Sequence, residues 1–364
     1  MKNYEYVSVI PSENYGKVFL SNGEDTVEVP EIGGIIFEKL KFSNIDQVDK
    51  EILKEFGVEV DTKDFLNDLN SINFLVDKNH KVGKLEYSIG KILNKILYSK
   101  ISYTVYFLLF MSIIFLCSLK KIDFFWNYKY IFIFDNNVNS IIAYTLLVWI
   151  SVFCHEIMHY LTSSGFKIAS KISLGTRMQF LVAQTTILNP YQLSSKERIK
   201  VYISGILGDY IVCAICILGI YLVDNTFIAS ILRCLLYIKT TAIIWQFLFY
   251  MKTDIYFVFS TLKKEHNLMN DAQTYLKNKH KNYTSTVKGY AYFLVLGRIL
   301  TVIYFGIFEF PLLYLLIKRI LNSKTSPDGI ISSILVISTW IIFMIVFCKV
   351  KIIPYIKKLK RGRI

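Results

Sequence analysis

Charge is scarce in this chain. Of 364 residues, 19% are Asp, Glu, Lys or Arg, against 53% hydrophobic and 15% aromatic, and the mean hydropathy is +0.41. So little charge excludes a single soluble globule and a disordered tail. Cysteine is sparse as well, at six, and most of the six fall in or beside apolar runs, which excludes a disulfide-stapled secreted domain. No cleavable signal peptide is expected at the start, because the first hundred residues are polar and patterned. Acidic residues are short in one part above all: residues 102–364 hold 29 basic against 11 acidic, whereas residues 1–101 hold 13 against 17. The two parts suit different solvents.

What is present in the second part is a series of apolar runs of spanning length, roughly 20 residues each. They occupy 102–119, 140–162, 199–223, 227–250, 289–317 and 328–348, which predicts six spans with both ends on one side. The tail after Cys348 carries seven Lys and Arg residues, from Lys349 to Arg363, and is assigned to the cytoplasm by its positive charge. The loops 163–198 and 251–288 are basic and fall on that side, so the N-terminal part is cytoplasmic too. The location predicted is a bacterial cytoplasmic membrane, crossed several times; abundant Ile, Lys, Asn and Tyr with little Ala suits an AT-rich bacterial genome. The net charge of +14 is then explained by juxtamembrane lysines facing anionic lipid, so membrane lipid is one expected partner. Nucleic acid is not, because residues 1–101 are acidic and carry no basic stripe interleaved with aromatics. Cys213 and Cys216 form a CxxC within a helix, which reads as packing, and Cys154 is expected to be buried.

Residues 5–30 alternate as strands do, with polar turns at 11–16 and 21–25. From Glu31 the period becomes helical, with Ile36, Phe37 and Leu40 on one face. A second helix starts at a cap-like Ser43 and closes at Gly57; a third follows Asp61, and Phe74-Leu75-Val76 leads out as an extended piece. The fold class expected is a polytopic α-helical membrane protein of about six spans with a small N-terminal α+β, winged-helix-like cytoplasmic domain.

The second apolar run ends in Cys154-His155-Glu156-Ile157-Met158-His159. Two His four apart lie on one helical face and can reach one metal through their ring nitrogens, while Glu156 can take the proton of a water held there. Bound zinc lowers that water's pKa to about 7. Two His and a carboxylate inside an apolar run cost several kcal/mol unless they pair or bind something. Asp254, at the cytoplasmic end of the fourth run, arrives at a similar depth and would complete two imidazoles and one carboxylate, leaving a fourth position for water. Asp209, about ten residues into the third run, is the rival. Lys239 and Arg298 are candidate counter-ions for it, and a supporting or substrate-positioning role is expected for these three. Residues 168–190 are too short and polar to span and read as strands around Gly175. Glu309 reads as an interfacial carboxylate.

Two resemblances follow. The run Val29-Pro30-Glu31-Ile32-Gly33-Gly34 to Leu40, then Ile45-Asp46-Gln47-Val48, then Val60-Asp61 to Leu69, resembles PqqD-like peptide-recognition domains over roughly residues 5–78. That implies capture of the leader of a ribosomally made precursor peptide as an added strand. Residues 140–260 resemble the site-2 protease family of intramembrane zinc metallopeptidases: His155-Glu156-Ile157-Met158-His159, then Ile203-Ser204-Gly205-Ile206-Leu207-Gly208-Asp209, then Thr253-Asp254-Ile255-Tyr256. In that family the first supplies two ligands and the general base, and the third the remaining ligand. Here Asp209 stands where Asn is usual, and Ile255 follows the acid where Gly is usual.

The resemblances imply a leader-binding domain at 1–90, a metalloprotease domain at 100–350 with its core at 140–260, and a basic tail at 351–364. The activity implied is a Zn2+ endopeptidase with Glu156 catalytic and His155, His159 and Asp254 on the metal, acting on a precursor peptide during maturation or export. A peptide-modifying enzyme or exporter is a further partner. The alternatives are a regulatory intramembrane protease cutting a membrane-anchored transcription regulator, and a non-proteolytic export or immunity partner.

Overall fold

The computed structural model describes residues 4–304, apart from 5, 13–15, 23–24, 73, 76–80, 119–127, 178–179 and 278–282, and scattered positions up to Ser338. The sixth expected span (Ser338 aside), Glu309 and the basic tail lie outside the described residues. Two compact units divide the chain. The first gathers Met1–Leu93, Tyr160–Lys171 and Thr186–Ile199; the second holds Asn94–His159, Ile172–Thr185 and the remainder from Lys200.

The first unit begins with the expected alternation. Strands β1 (Ser8–Pro11), β2 (Lys17–Ser21) and β3 (Thr26–Pro30) form an antiparallel sheet in the order β1-β2-β3, with Val9 opposite Leu20 and Leu20 opposite Val27. Helix α1 (Glu31–Leu40) begins directly at the end of β3, and α2 (Ile45–Phe56) and α3 (Thr62–Ser71) follow. The cap of α2 is Asn44, one residue beyond the expected Ser43. Its side chain accepts from Gln47 N–H at 3.0 Å while Gln47 Oε1 accepts from Asn44 N–H, a reciprocal pair that satisfies two exposed donors. Gly57 closes α2 at φ 67°, where a side chain would be strained. Val7, Leu20, Ile36, Phe37, Val48, Ile52, Leu66 and Phe74 make the core. No strand forms at Phe74-Leu75 among the described residues. The face of β2 away from that core is covered as well, by Tyr191 stacked on Phe19 at 3.9 Å between ring centres.

Helix α4 (Lys84–Leu97) leads to α5 (Lys100–Ser118), α6 (Asn137–Gly165), the paired strands β4 (Ser170–Arg177) and β5 (Phe180–Ile187), then α7 (Ser195–Leu222), α8 (Thr226–Gln246), α9 (Asp254–Leu262), α10 (Leu268–Lys277) and α11 (Ser285–Tyr304). The chain is therefore mostly helical. Among the described residues three helices are long and apolar enough to cross a membrane, Val138–Gly165, Ser195–Leu222 and Thr226–Gln246. Lys84–Leu97 and Lys100–Phe115, bent by 57°, make a fourth if taken as one broken span. That count corrects the six expected: the first run passes only as a bent pair, and the fifth is described continuously only to Tyr304. The strands expected around Gly175 form, and Gly175 itself is part of one. It lies inside β4, where an added Cβ would stand 2.8 Å from the Gln184 amide.

Cys213, Cys216 and Cys234 are buried as expected, but Cys154 is exposed. It sits beside half-exposed Phe153, on the side of α6 away from His155 and Glu156. A helix surrounded by apolar residues on every side gives no sequence signal for which face turns inward.

Candidate metal centre

All the side chains of this site belong to the second unit. His155 and His159 stand one turn apart on α6 with Nε2 atoms 3.1 Å from each other, and both are buried. Asp254 Oδ2 is 3.0 Å from the first Nε2 and 3.1 Å from the second. Three donor atoms thus form a nearly equilateral triangle, and no other such group of His, Cys, Asp and Glu occurs among the described residues.

The far side of each imidazole fixes its tautomer. His159 Nδ1 lies 2.7 Å from the Val201 carbonyl, which can only accept, so Nδ1 carries the hydrogen. Ser204 Oγ donates to the same carbonyl at 2.8 Å. His155 Nδ1 lies 2.7 Å from Asp209 Oδ2, while Lys239 Nζ donates to Asp209 Oδ1 and, at 2.9 Å, to the Ser151 carbonyl. With Lys239 donating to one carboxyl oxygen of Asp209, the other oxygen is left to accept from His155 Nδ1. Both Nε2 atoms are consequently bare, and both face a carboxylate oxygen. Three electron-pair donors about 3 Å apart repel one another unless a cation, a proton or a metal ion, sits among them.

Space for such an ion exists because residue 205 has no side chain. A Cβ added to Gly205 on α7 would come within 2.5 Å of His159 Nε2 and 2.6 Å of His155 Nε2, on top of the two donor atoms. The donor set and this opening both fit a metal ion, and His155, His159 and Asp254 are the residues that could hold it. No family model, curated protein or solved structure matches the chain. What the site can do must be read from its own chemistry.

Glu156 is buried, its carbonyl accepts from Thr185 Oγ1 of β5 at 3.0 Å, and it lines a cavity of about 310 Å³ together with His155, Asp209, Lys239, Gln246 and Trp245. The motif's acid therefore borders open space beside the donor triangle.

The sequence expectation placed Asp254 at the end of the fourth run, and this needs correction. Helix α8 stops at Gln246, the chain turns through a short 3-10 segment with Lys252 at φ 57°, and Asp254 is the first residue of a separate helix, α9. Gln246, which the sequence reading missed, makes that turn hold. Its Oε1 accepts from Asp254 N–H at 3.0 Å, its carbonyl accepts from Thr253 Oγ1 at 2.6 Å, and its Nε2 stands 3.5 Å from His155 Nε2. Burial opposes charge on Asp254, and positive charge at the Nε2 side of His159 and His155, whether a proton or an ion, is what holds the carboxyl below the usual carboxylate range.

Between the rivals for the third donor, the geometry separates two roles. Asp254 faces the Nε2 side of the histidines, whereas Asp209 faces the Nδ1 side of His155 alone. Lys239 is the counter-ion that meets Asp209. Arg298 lies on α11, and its side chain is outside the described residues.

Proposed function

We infer that the chain is a membrane-embedded zinc endopeptidase that shortens a small ribosomally made precursor peptide during maturation or export. The observation that carries this is the triangle of two bare imidazole nitrogens and one carboxylate oxygen, with an ionisable acid next in sequence lining the adjoining cavity. Tetrahedral zinc with bonds of about 2.0–2.1 Å spaces its ligands roughly 3.3 Å apart, close to the 3.0–3.1 Å edges here. Bound at this place, zinc supplies Lewis acidity to a water and to the peptide carbonyl. Glu156, which lines the adjoining cavity, would take the proton of the attacking water as the C–O bond forms and return it to the amide nitrogen as the C–N bond breaks. Asp209, paired with Lys239, keeps His155 in the tautomer that leaves Nε2 free. Gln246 and Thr253 fix the turn that presents Asp254.

The N-terminal three-stranded sheet followed by three helices supports the PqqD-like reading, in which a leader peptide adds to a sheet edge. The HExxH helix and the acid-bearing turn support the site-2 protease reading. In this proposal the chain lies in a bacterial cytoplasmic membrane with both ends cytoplasmic.

The test is the intact mass of a candidate precursor peptide co-expressed with the wild type and with Glu156→Gln. A shortened peptide from the wild type alone is the expected result. Full-length peptide from both, with metal bound in both, overturns the peptidase reading and leaves a binding or export partner.

A further inference from the structure

Helix α4 has three different faces. Gly90 and Leu97, seven apart, are buried. A Cβ on Gly90 would stand 2.1 Å from the Leu161 carbonyl oxygen and 2.5 Å from Gly165 N, so α4 lies backbone against backbone on the last turn of α6. That turn is the end of the candidate span Val138–Gly165. The second face is a stripe at helical spacing, Leu85, Ile89, Ile92 and Ile96, exposed by 73%, 44%, 60% and 59%. The third is a row of Lys84, Lys91 and Lys95, spaced by seven and four, along one flank of the stripe. After a break of two residues and a bend of 57°, the apolar helix α5 begins.

Water does not suit the stripe, since four aliphatic side chains in line form a contiguous apolar patch. Two observations say what covers it. The helix is fixed at the end of one candidate span and leads, through the bend, into another apolar helix, so its depth is that of a membrane boundary. Its lysines stand beside the stripe rather than within it, the arrangement in which stems lie along acyl chains and ammonium groups reach phosphates. We propose that the outer face of α4 lies in the headgroup–acyl boundary of the bilayer, with Leu85, Ile89, Ile92 and Ile96 immersed and Lys84, Lys91 and Lys95 on the phosphates of anionic phospholipid. The face needs no peptide and no metal, and it is independent of the reaction assigned to the site.

The test uses the full chain carrying a photoreactive phenylalanine derivative in place of Ile92, reconstituted in phosphatidylcholine vesicles with a minority of phosphatidylglycerol. The expected result is a phospholipid adduct at position 92, with phosphatidylglycerol adducts in excess of its share of the vesicle. Lys91→Glu with Lys95→Glu should remove the excess and leave the adduct. Adducts to a second protein chain, or none to lipid, overturn the assignment of the stripe. Adducts in simple proportion to the vesicle composition overturn the assignment of the lysine row.

Discussion

Replacing Gly205 by alanine is the sharpest mutational test of the donor triangle. The added Cβ would stand 2.5 Å from His159 Nε2 and 2.6 Å from His155 Nε2, where ordinary contact begins at 3.4 Å. The rings would have to retreat by roughly 0.9 Å, and displacements near 1 Å cost reacting geometries about 10²-fold. They cannot retreat freely, because each Nδ1 is already held at 2.7 Å on the opposite side. Overpacking of this kind costs about 1–3 kcal/mol. Taken from the metal site, that is a loss of about 5- to 150-fold in metal affinity. The assay is competition with a chromophoric chelator on the purified chain in detergent, with circular dichroism to establish that the helices remain. Gly289→Ala is the matched control: nothing lies within 4 Å of its added Cβ, and alanine suits a helix interior better by about 0.5–1 kcal/mol. If Gly205→Ala binds metal as tightly as the wild type, the space beside the two Nε2 atoms is not where the ion sits, and the reasoning fails.

Three further outcomes follow from named contacts. Lys239→Met strands Asp209, 1% exposed, without its counter-charge and should cost about 3–5 kcal/mol in denaturant titration, while adding Asp209→Asn should recover most of it; equal losses in the single and double variants would show that the pair is not coupled. Asp209→Asn should keep metal with roughly 10–100-fold weaker binding, as expected for loss of an outer partner, whereas Asp254→Ala should abolish stoichiometric binding; the reverse order, read by metal analysis after dialysis, would exchange the two roles. Gly90→Ala forces a backbone shift between α4 and α6 and should raise hydrogen exchange across residues 84–97 with the site's metal affinity unchanged; unchanged exchange would mean that the close approach does not hold α4 in place.

Legibility in the sequence divides along physical lines. His155, Glu156 and His159 could be read because a helix turns sequence spacing directly into a shared face. Asp254 could be read from membrane depth, since an acid near the end of an apolar run needs a partner, but the path of the chain to it could not. The break after Gln246 sits within a run whose hydropathy hardly changes, so the fourth run was expected to continue to residue 250 and the separate helix α9 was not anticipated. For the same reason Gln246, inside the expected run, was not singled out. Its importance comes from the turn, through bonds to Asp254 and Thr253 that no periodicity announces. Lys239 and Arg298 were equal candidates beside Asp209 by charge alone, and only packing brings Lys239 to it. The orientation of Cys154 escaped because α6 is apolar on every side and carries no clear amphipathic stripe. The N-terminal sheet and helices were read well because polar and apolar residues there follow alternation and the 3.6-residue period, which separate inner from outer faces.

The central claim is a metal held by His155, His159 and Asp254, and the most direct measurement is zinc content together with X-ray absorption at the zinc edge on the purified full chain. The account predicts one zinc per chain, with nitrogen and oxygen neighbours at about 2.0–2.1 Å, no sulfur, and loss of the metal in His155→Ala. Substoichiometric zinc after saturation, a sulfur neighbour, or full occupancy in His155→Ala would contradict it.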